Sequence, residues 1–262
     1  MAEQLSLQLE PAMPRSGDVA PMWPTPLADP FDSPDWLFEP TWGGHRVLAF
    51  VEPGAAAGGG AVRIVDARGT EFGKQLPELA GLAVRVAARS AVLDGELVVV
   101  DRHGRADDEA LRERLSGRPG RPVAFLVFDL LHLDGRWLLG QALDKRRAAL
   151  RRVLRPGDEV VVVPAITGEG RALHAAVSAQ GIAGVLARRR TSPYLPGVHS
   201  KLWRSILAAT DGETGTPDGT AATDDEPVGD PAAAAATGTA PVLAMFRRLP
   251  FPDEPSEGEQ GT

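Results

Sequence analysis

The chain has 262 residues, 43% of them hydrophobic, with no cysteine and a formal net charge of −7. That length holds one large or two small domains with proper cores, while the missing cysteine excludes disulfides and cysteine-ligated zinc and suits a reducing cytoplasm. No apolar run approaches the roughly 20 residues that span a bilayer, and the N-terminus lacks the basic start and apolar middle of a signal peptide, so a soluble protein without a membrane partner is expected.

The charge is unevenly placed. From Ala208 onward there are 11 acidic and 2 basic residues, which leaves the first 207 residues with a net charge of +2. A duplex-gripping domain usually shows a clearer basic surplus, so this balance permits DNA binding without announcing it.

In chain order, residues 1–20 lack sustained periodicity and are expected to be a flexible lead-in. Pro21-Met22-Trp23-Pro24 favours extended backbone, with Trp23 available to anchor a core, and Asp32-Ser33-Pro34-Asp35 reads as a turn. Strands are predicted at 37–39 and 47–51, then a Gly-Ala hairpin tip at 54–60 and a return strand at 61–65. The apolar spacing over 77–89 predicts a helix with proline in its first turn. A strand at 92–100, a turn at His103-Gly104 and a short charged helix at 107–115 follow.

Residues 123–131, VAFLVFDLL, are apolar enough for a buried central strand. Next come an arginine-rich amphipathic helix at 143–154, a strand at 159–164, a helix at 171–179, and strands at 184–188 and 201–207. Strands and helices alternate irregularly, with hairpins among them, which favours an α+β fold over a parallel α/β sheet. One domain over 21–207 is expected, and no internal repeat is visible.

Residues 208–262 turn to Ala, Asp, Gly, Thr and Pro. Such an acidic low-complexity tail has too little apolar side chain to offset the entropy of ordering it. Within it, residues 241–251 gather Val242, Leu243, Met245, Phe246, Leu249 and Phe251 around two arginines. Two readings stand: a patch that docks back on its own domain, or a short helix for a protein partner.

The stretch Glu39-Pro40-Thr41-Trp42-Gly43-Gly44-His45-Arg46 resembles the adenylation-site signature of ATP-dependent DNA ligases. In that family the order is glutamate, any residue, lysine, any residue, aspartate, glycine, any residue, arginine, and the lysine amine attacks the α-phosphate of ATP. Glu39, Gly44 and Arg46 stand in register; Thr41 takes the lysine position and Gly43 the aspartate position. Leu93-Asp94-Gly95-Glu96 is similar to the block whose glutamate serves the ribose or metal. Val127-Phe128-Asp129-Leu130-Leu131 is similar to the block whose phenylalanine stacks on adenine, and Leu133-Asp134-Gly135 completes it. Either block alone is weak, but in family order after the signature they reinforce one another.

Other blocks have decayed. Asp66-Ala67-Arg68-Gly69 stands for serine-arginine-asparagine-glycine. Ala183-Gly184-Val185-Leu186-Ala187-Arg188 lacks the family's acid and carries arginine for lysine. Trp203-Arg204-Ser205-Ile206-Leu207 lacks both lysines. The resemblance covers 21–207 and implies a DNA ligase/mRNA-capping-type nucleotidyltransferase domain of antiparallel sheets flanked by helices. It also implies nucleotide contacts by Glu39, Arg46, Glu96, Phe128 and Arg188, and nicked or broken DNA as a partner. The family usually follows this domain with an OB-fold, whereas here the low-complexity tail is expected in its place.

Adenylate transfer needs an amine nucleophile, and a hydroxyl at 41 with no base in the motif cannot form the phosphoramidate. Three of the 28 basic residues are lysines, Lys74, Lys145 and Lys201, and none lies beside the signature in sequence. Losing two phosphate-facing lysines weakens ATP by roughly two to four decades, so ATP and magnesium are expected at most as weak ligands. Adenine stacking on Phe128 is expected to survive. His45 and His132 have no second ligand at metal spacing, and no metal site is expected. The resulting reading is a ligase-like binding or scaffolding module in DNA repair, inactive for self-adenylation. The alternative is residual sealing of pre-adenylated nicks. A third makes the tail the functional part and the domain its carrier.

Overall fold

The structure, a computed structural model, describes residues 13–52, 54, 60–208, 244 and 246–251. The expected lead-in up to residue 12, most of the expected hairpin tip, and the expected tail at 209–243, 245 and 252–262, with Val242, Leu243 and Met245 of its apolar motif, lie outside the described residues.

The architecture is α+β. Eleven strands are described: β1 (Trp23–Pro26), β2 (Trp36–Thr41), β3 (His45–Glu52), β4 (Ala61–Asp66), β5 (Ala91–Val98), β6 (Ala124–Leu133), β7 (Arg136–Trp137), β8 (Val160–Val162), β9 (Ile166–Thr167), β10 (Gly184–Arg189) and β11 (His199–Leu207). The helices are α1 (Leu82–Arg85), α2 (Asp108–Leu115), α3 (Leu143–Val153) and α4 (Gly170–Ala179). One sheet runs β1-β11-β10-β2-β9, and the other runs β4-β3-β5-β6-β7 with β8 also on β6. Pairing is antiparallel except for β1 with β11 and β6 with β8.

Strand periodicity explains how the second sheet is held. Along β3, Leu48 and Phe50 join a cluster with Phe38, Val185, Trp203 and Ile206 of the first sheet, while Val47, Ala49 and Val51 join one that includes Leu82 of α1, Leu111 of α2 and Leu150 of α3. Both faces of that sheet are therefore covered. This is why β5 is buried along its whole length, its Asp94 and Glu96 included.

The helix expected over 77–89 is not formed as one element. A 3-10 turn covers Pro77–Gly81, α1 continues only to Arg85, and Val86 leaves as extended backbone to bridge Leu154. Proline starts this segment as expected, but Gly81 and the β-branched Val84 and Val86 disfavour helix, and the bridge satisfies backbone groups that a longer helix would have used. Three short strands, β1, β7 and β9, were not expected as strands. Each has four residues or fewer, too short to show a period.

Candidate functional site

The signature occupies the end of β2, the turn at 42–44 and the start of β3. Gly43 takes φ +71°, the left-handed region that favours glycine. Gly44 is required for a different reason: a Cβ there would lie 2.3 Å from the Leu97 carbonyl oxygen, because the turn crosses directly against β5.

This close approach brings the turn onto Glu96. Its carboxylate accepts from the Trp42 amide at 3.0 Å, the Gly44 amide at 3.1 Å and the Thr41 hydroxyl at 3.1 Å. Burial pushes the Glu96 carboxyl up, and these donors, with Arg46, pull it part of the way back. The Thr41 oxygen in turn accepts from the Gly43 amide at 3.3 Å. Thr41 thus both donates and accepts within the turn.

Beside the turn, five charged side chains close into one buried group. Glu39 of β2 is 1% exposed and takes a two-pronged contact from Arg188 of β10, Nε and Nη2 both at 2.7 Å, together with an ion pair from Arg147 of α3. Asp129 of β6 takes a second fork from Arg146, Nε and Nη2 both at 2.9 Å, and Arg188 Nη1 at 3.1 Å. Backbone carbonyls of Phe128, Gln141, Val163 and Ser192 accept further guanidinium protons. Paired and hydrogen-bonded in this way, the group survives full desolvation.

Asp129 points into this group because of a β-bulge. Asp94 pairs with Asp129 and the next residue, Gly95, pairs with Val127, so Phe128 is the extra residue. Phe128 and Asp129 then face the same side of the sheet, against strict alternation. Burial alone would raise the Asp129 carboxyl, but Arg146 and Arg188 outweigh it and hold the group below the usual range.

Arg46 completes the site from β3. Its Nε and Nη2 contact both Asp94 oxygens at 2.6 Å, and the Tyr194 hydroxyl donates to Asp94 at 2.7 Å while accepting from the Met22 amide at 2.9 Å. Its guanidinium carbon lies 4.4 Å from the centroid of the Phe128 ring, and that of Arg188 lies 5.1 Å from the same ring. Phe128 is only 5% exposed. The chain's own guanidinium groups cover the ring on which adenine stacking is expected.

The five residues read as nucleotide contacts, Glu39, Arg46, Glu96, Phe128 and Arg188, are thus brought together, but around each other. Asp94, Asp129, Arg146, Arg147 and Tyr194 join them, and the sequence motifs assign these five no role. One signal was available: Asp129 is a lone carboxylate in an apolar strand, and such a group needs a cation when buried. All three lysines are exposed. Lys74 lies in the turn before Pro77 and Lys145 on the outer face of α3. Lys201 is six residues along β11 from Leu207, the residue aligned through Gly184 with Thr41, or about 20 Å along the strand. Among the described residues there is no group of three His, Asp or Glu able to hold a metal, and no helix long and apolar enough to cross a membrane.

The sequence model of the ATP dependent DNA ligase domain matches residues 27–206, more than half of the chain. The multifunctional non-homologous end joining DNA repair protein LigD of Mycobacterium tuberculosis H37Rv is 38% identical over 168 residues, covering 64% of this chain and 21% of that protein. The SPbeta prophage-derived DNA ligase-like protein LigB of Bacillus subtilis is 24% identical over 190 residues, covering 72% of this chain and 67% of that one. Among solved structures, mycobacterial DNA ligase D complexed with ATP and MES superposes with a TM-score of 0.62 at 32% identity, covering 74% of this chain and 61% of that one. The ligase domain of M. tuberculosis LigD gives 0.61 at 32% identity, covering 74% and 60%. The chain spans less than a quarter of the length of the LigD proteins it matches.

Proposed function

The chain belongs to the ATP-dependent DNA ligase family, and on that premise we propose that it is a module of DNA repair that does not adenylate itself and acts by binding or scaffolding at nicked or broken DNA. The observation that carries this reading is the state of Thr41. Its hydroxyl is tied to Glu96 and to the Gly43 amide in the position where the family places its amine. An alcohol there carries no nitrogen, so even with Glu96 beside it the group cannot hold a phosphate as a phosphoramidate.

ATP, which the family implies, fits these residues poorly. The motif glutamate is neutralised by Arg147 and Arg188, and the Phe128 ring is covered by Arg46 and Arg188. The end-joining role in the names of the LigD relatives supports the setting in DNA repair.

Incubation of the purified chain with α-labelled ATP and magnesium is expected to leave no acid-labile adenylate on the protein. Acid-labile label, or a mass increase of one AMP less water, would overturn the reading. A second reading, sealing of nicks that already carry the adenylate, is favoured by the convergence of Glu39, Arg46, Glu96 and Phe128 at one place, since such a substrate dispenses with the amine. Turnover of a pre-adenylated nick decides for it. Retention of the same DNA without turnover decides for the binding module.

A further inference from the structure

Residues 246–251 pack against Trp42 of the signature turn. Phe246 meets the Trp42 indole edge to face with 5.3 Å between centroids, and Phe251 meets Phe246 at 6.3 Å. Leu249 is 5% exposed within the cluster that contains Trp42, Val98 and Val100. The segment keeps its shape through two backbone hydrogen bonds, Leu249 to the Phe246 carbonyl at 3.1 Å and Phe251 to the Leu249 carbonyl at 2.8 Å. Arg247 and Arg248, between the anchors, are exposed.

Trp42 connects this contact to the site. Its indole Nε1 donates to the Gly104 carbonyl at 2.8 Å, and its backbone amide donates to Glu96 at 3.0 Å. Whatever covers the indole therefore fixes the turn on which Thr41, Gly43 and Gly44 are carried.

We propose that the surface around Trp42 is a docking groove for an apolar segment of the pattern Phe-x-x-Leu-x-Phe, filled in cis by this chain's own residues 246–251, and that its occupancy holds the signature turn against Glu96. The argument for this occupant is the seating itself: three apolar side chains at spacings of three and two reach the cluster while the two arginines between them face solvent. Tethering gives such a segment an effective concentration on the order of 1 mM, enough to keep a contact of modest intrinsic affinity closed.

The test begins with the full chain. A protease site introduced between residues 209 and 243 is cut in the folded protein, the C-terminal fragment is removed, and amide exchange is followed at Trp42 and Gly44. Removal is expected to speed exchange at both amides by about tenfold while Leu93 and Phe125 are unchanged. A synthetic peptide of residues 244–251 at roughly millimolar concentration should restore protection, and the same peptide with Phe246→Ala and Leu249→Ala should not. Equal exchange with and without the fragment overturns the proposal, as does failure of the peptide to restore it. If removal loosens the whole domain, recovery of global protection by the peptide still supports docking, and no recovery refutes it. Elution of the uncut chain as a dimer whose protection falls on dilution assigns the groove to a second copy and overturns the cis occupant.

Discussion

At the scale of single residues, Glu39 shows how this domain carries a buried charge. A carboxylate buried in a sheet costs several kcal/mol unless cations meet it, and here Arg147 and Arg188 do so with hydrogen-bonding geometry. Glu39→Gln keeps the shape but leaves three guanidinium groups against Asp129 alone. We expect it to lower unfolding stability by about 3–5 kcal/mol, the usual result of removing one partner from a buried pair. Urea unfolding checks this, and an unchanged midpoint would show that the group is not structural. Thr41→Lys tests the other half. The new amine would be set against the Glu96 carboxylate, which favours its protonated, non-nucleophilic form, and Gly43 still offers no carboxylate. This single change is therefore expected to leave the protein unlabelled by α-labelled ATP. Label on the introduced amine would mean that only the nucleophile had been lost.

At the scale of elements, the strands were readable where the pattern was long and the helices where charge and apolar residues alternated cleanly. Residues 61–65 and 184–188 fall on β4 and β10, and 107–115 falls on α2 with Asp107 as its cap, accepting from the Ala110 amide. The helix read as amphipathic at 143–154 is α3, yet Arg146 and Arg147 lie on its buried side. Sequence could not say so, because arginines on a helix are ordinarily a solvated face; their burial depends on Glu39, more than a hundred residues earlier, and on a bulge in β6 that re-aims Asp129. The signature turn gives the prediction at this scale. Gly44→Ala places a methyl group 2.3 Å from the Leu97 carbonyl oxygen and 2.6 Å from Val98 Cγ1, so β3 and β5 must separate locally. A loss of about 1–3 kcal/mol is expected, as for other overpacked sites. Faster amide exchange at Trp42 should accompany it, and wild-type stability would mean that the turn can move aside freely.

At the scale of the whole molecule, the two sheets are joined by charge as well as by apolar side chains. Glu39 and Arg188 belong to one sheet, Asp129 to the other, and α3 supplies the remaining two arginines. The link has a pH signature whose sign follows from Asp129. Its folded carboxyl is held below the usual range, so the folded state binds its proton less readily than the unfolded chain does. The stability it contributes is present above the unfolded value of about 3.9 and is lost as the pH falls through the folded one. Glu96 has the opposite sign: burial raises it, so its contribution is fully present below its unfolded value of about 4.3 and is lost as the pH rises through the folded value. Comparing the wild type with Asp129→Asn isolates the first effect from the second, which is common to both proteins. The stability difference is expected to be large at neutral pH and to shrink as the pH falls below about 4. Because the ion pairs span the sheets, near-ultraviolet and far-ultraviolet signals of the wild type should fall together along that acid limb. A difference that stays constant down to strongly acid pH, or two separated transitions, would show that the sheets are held together by their apolar contacts alone.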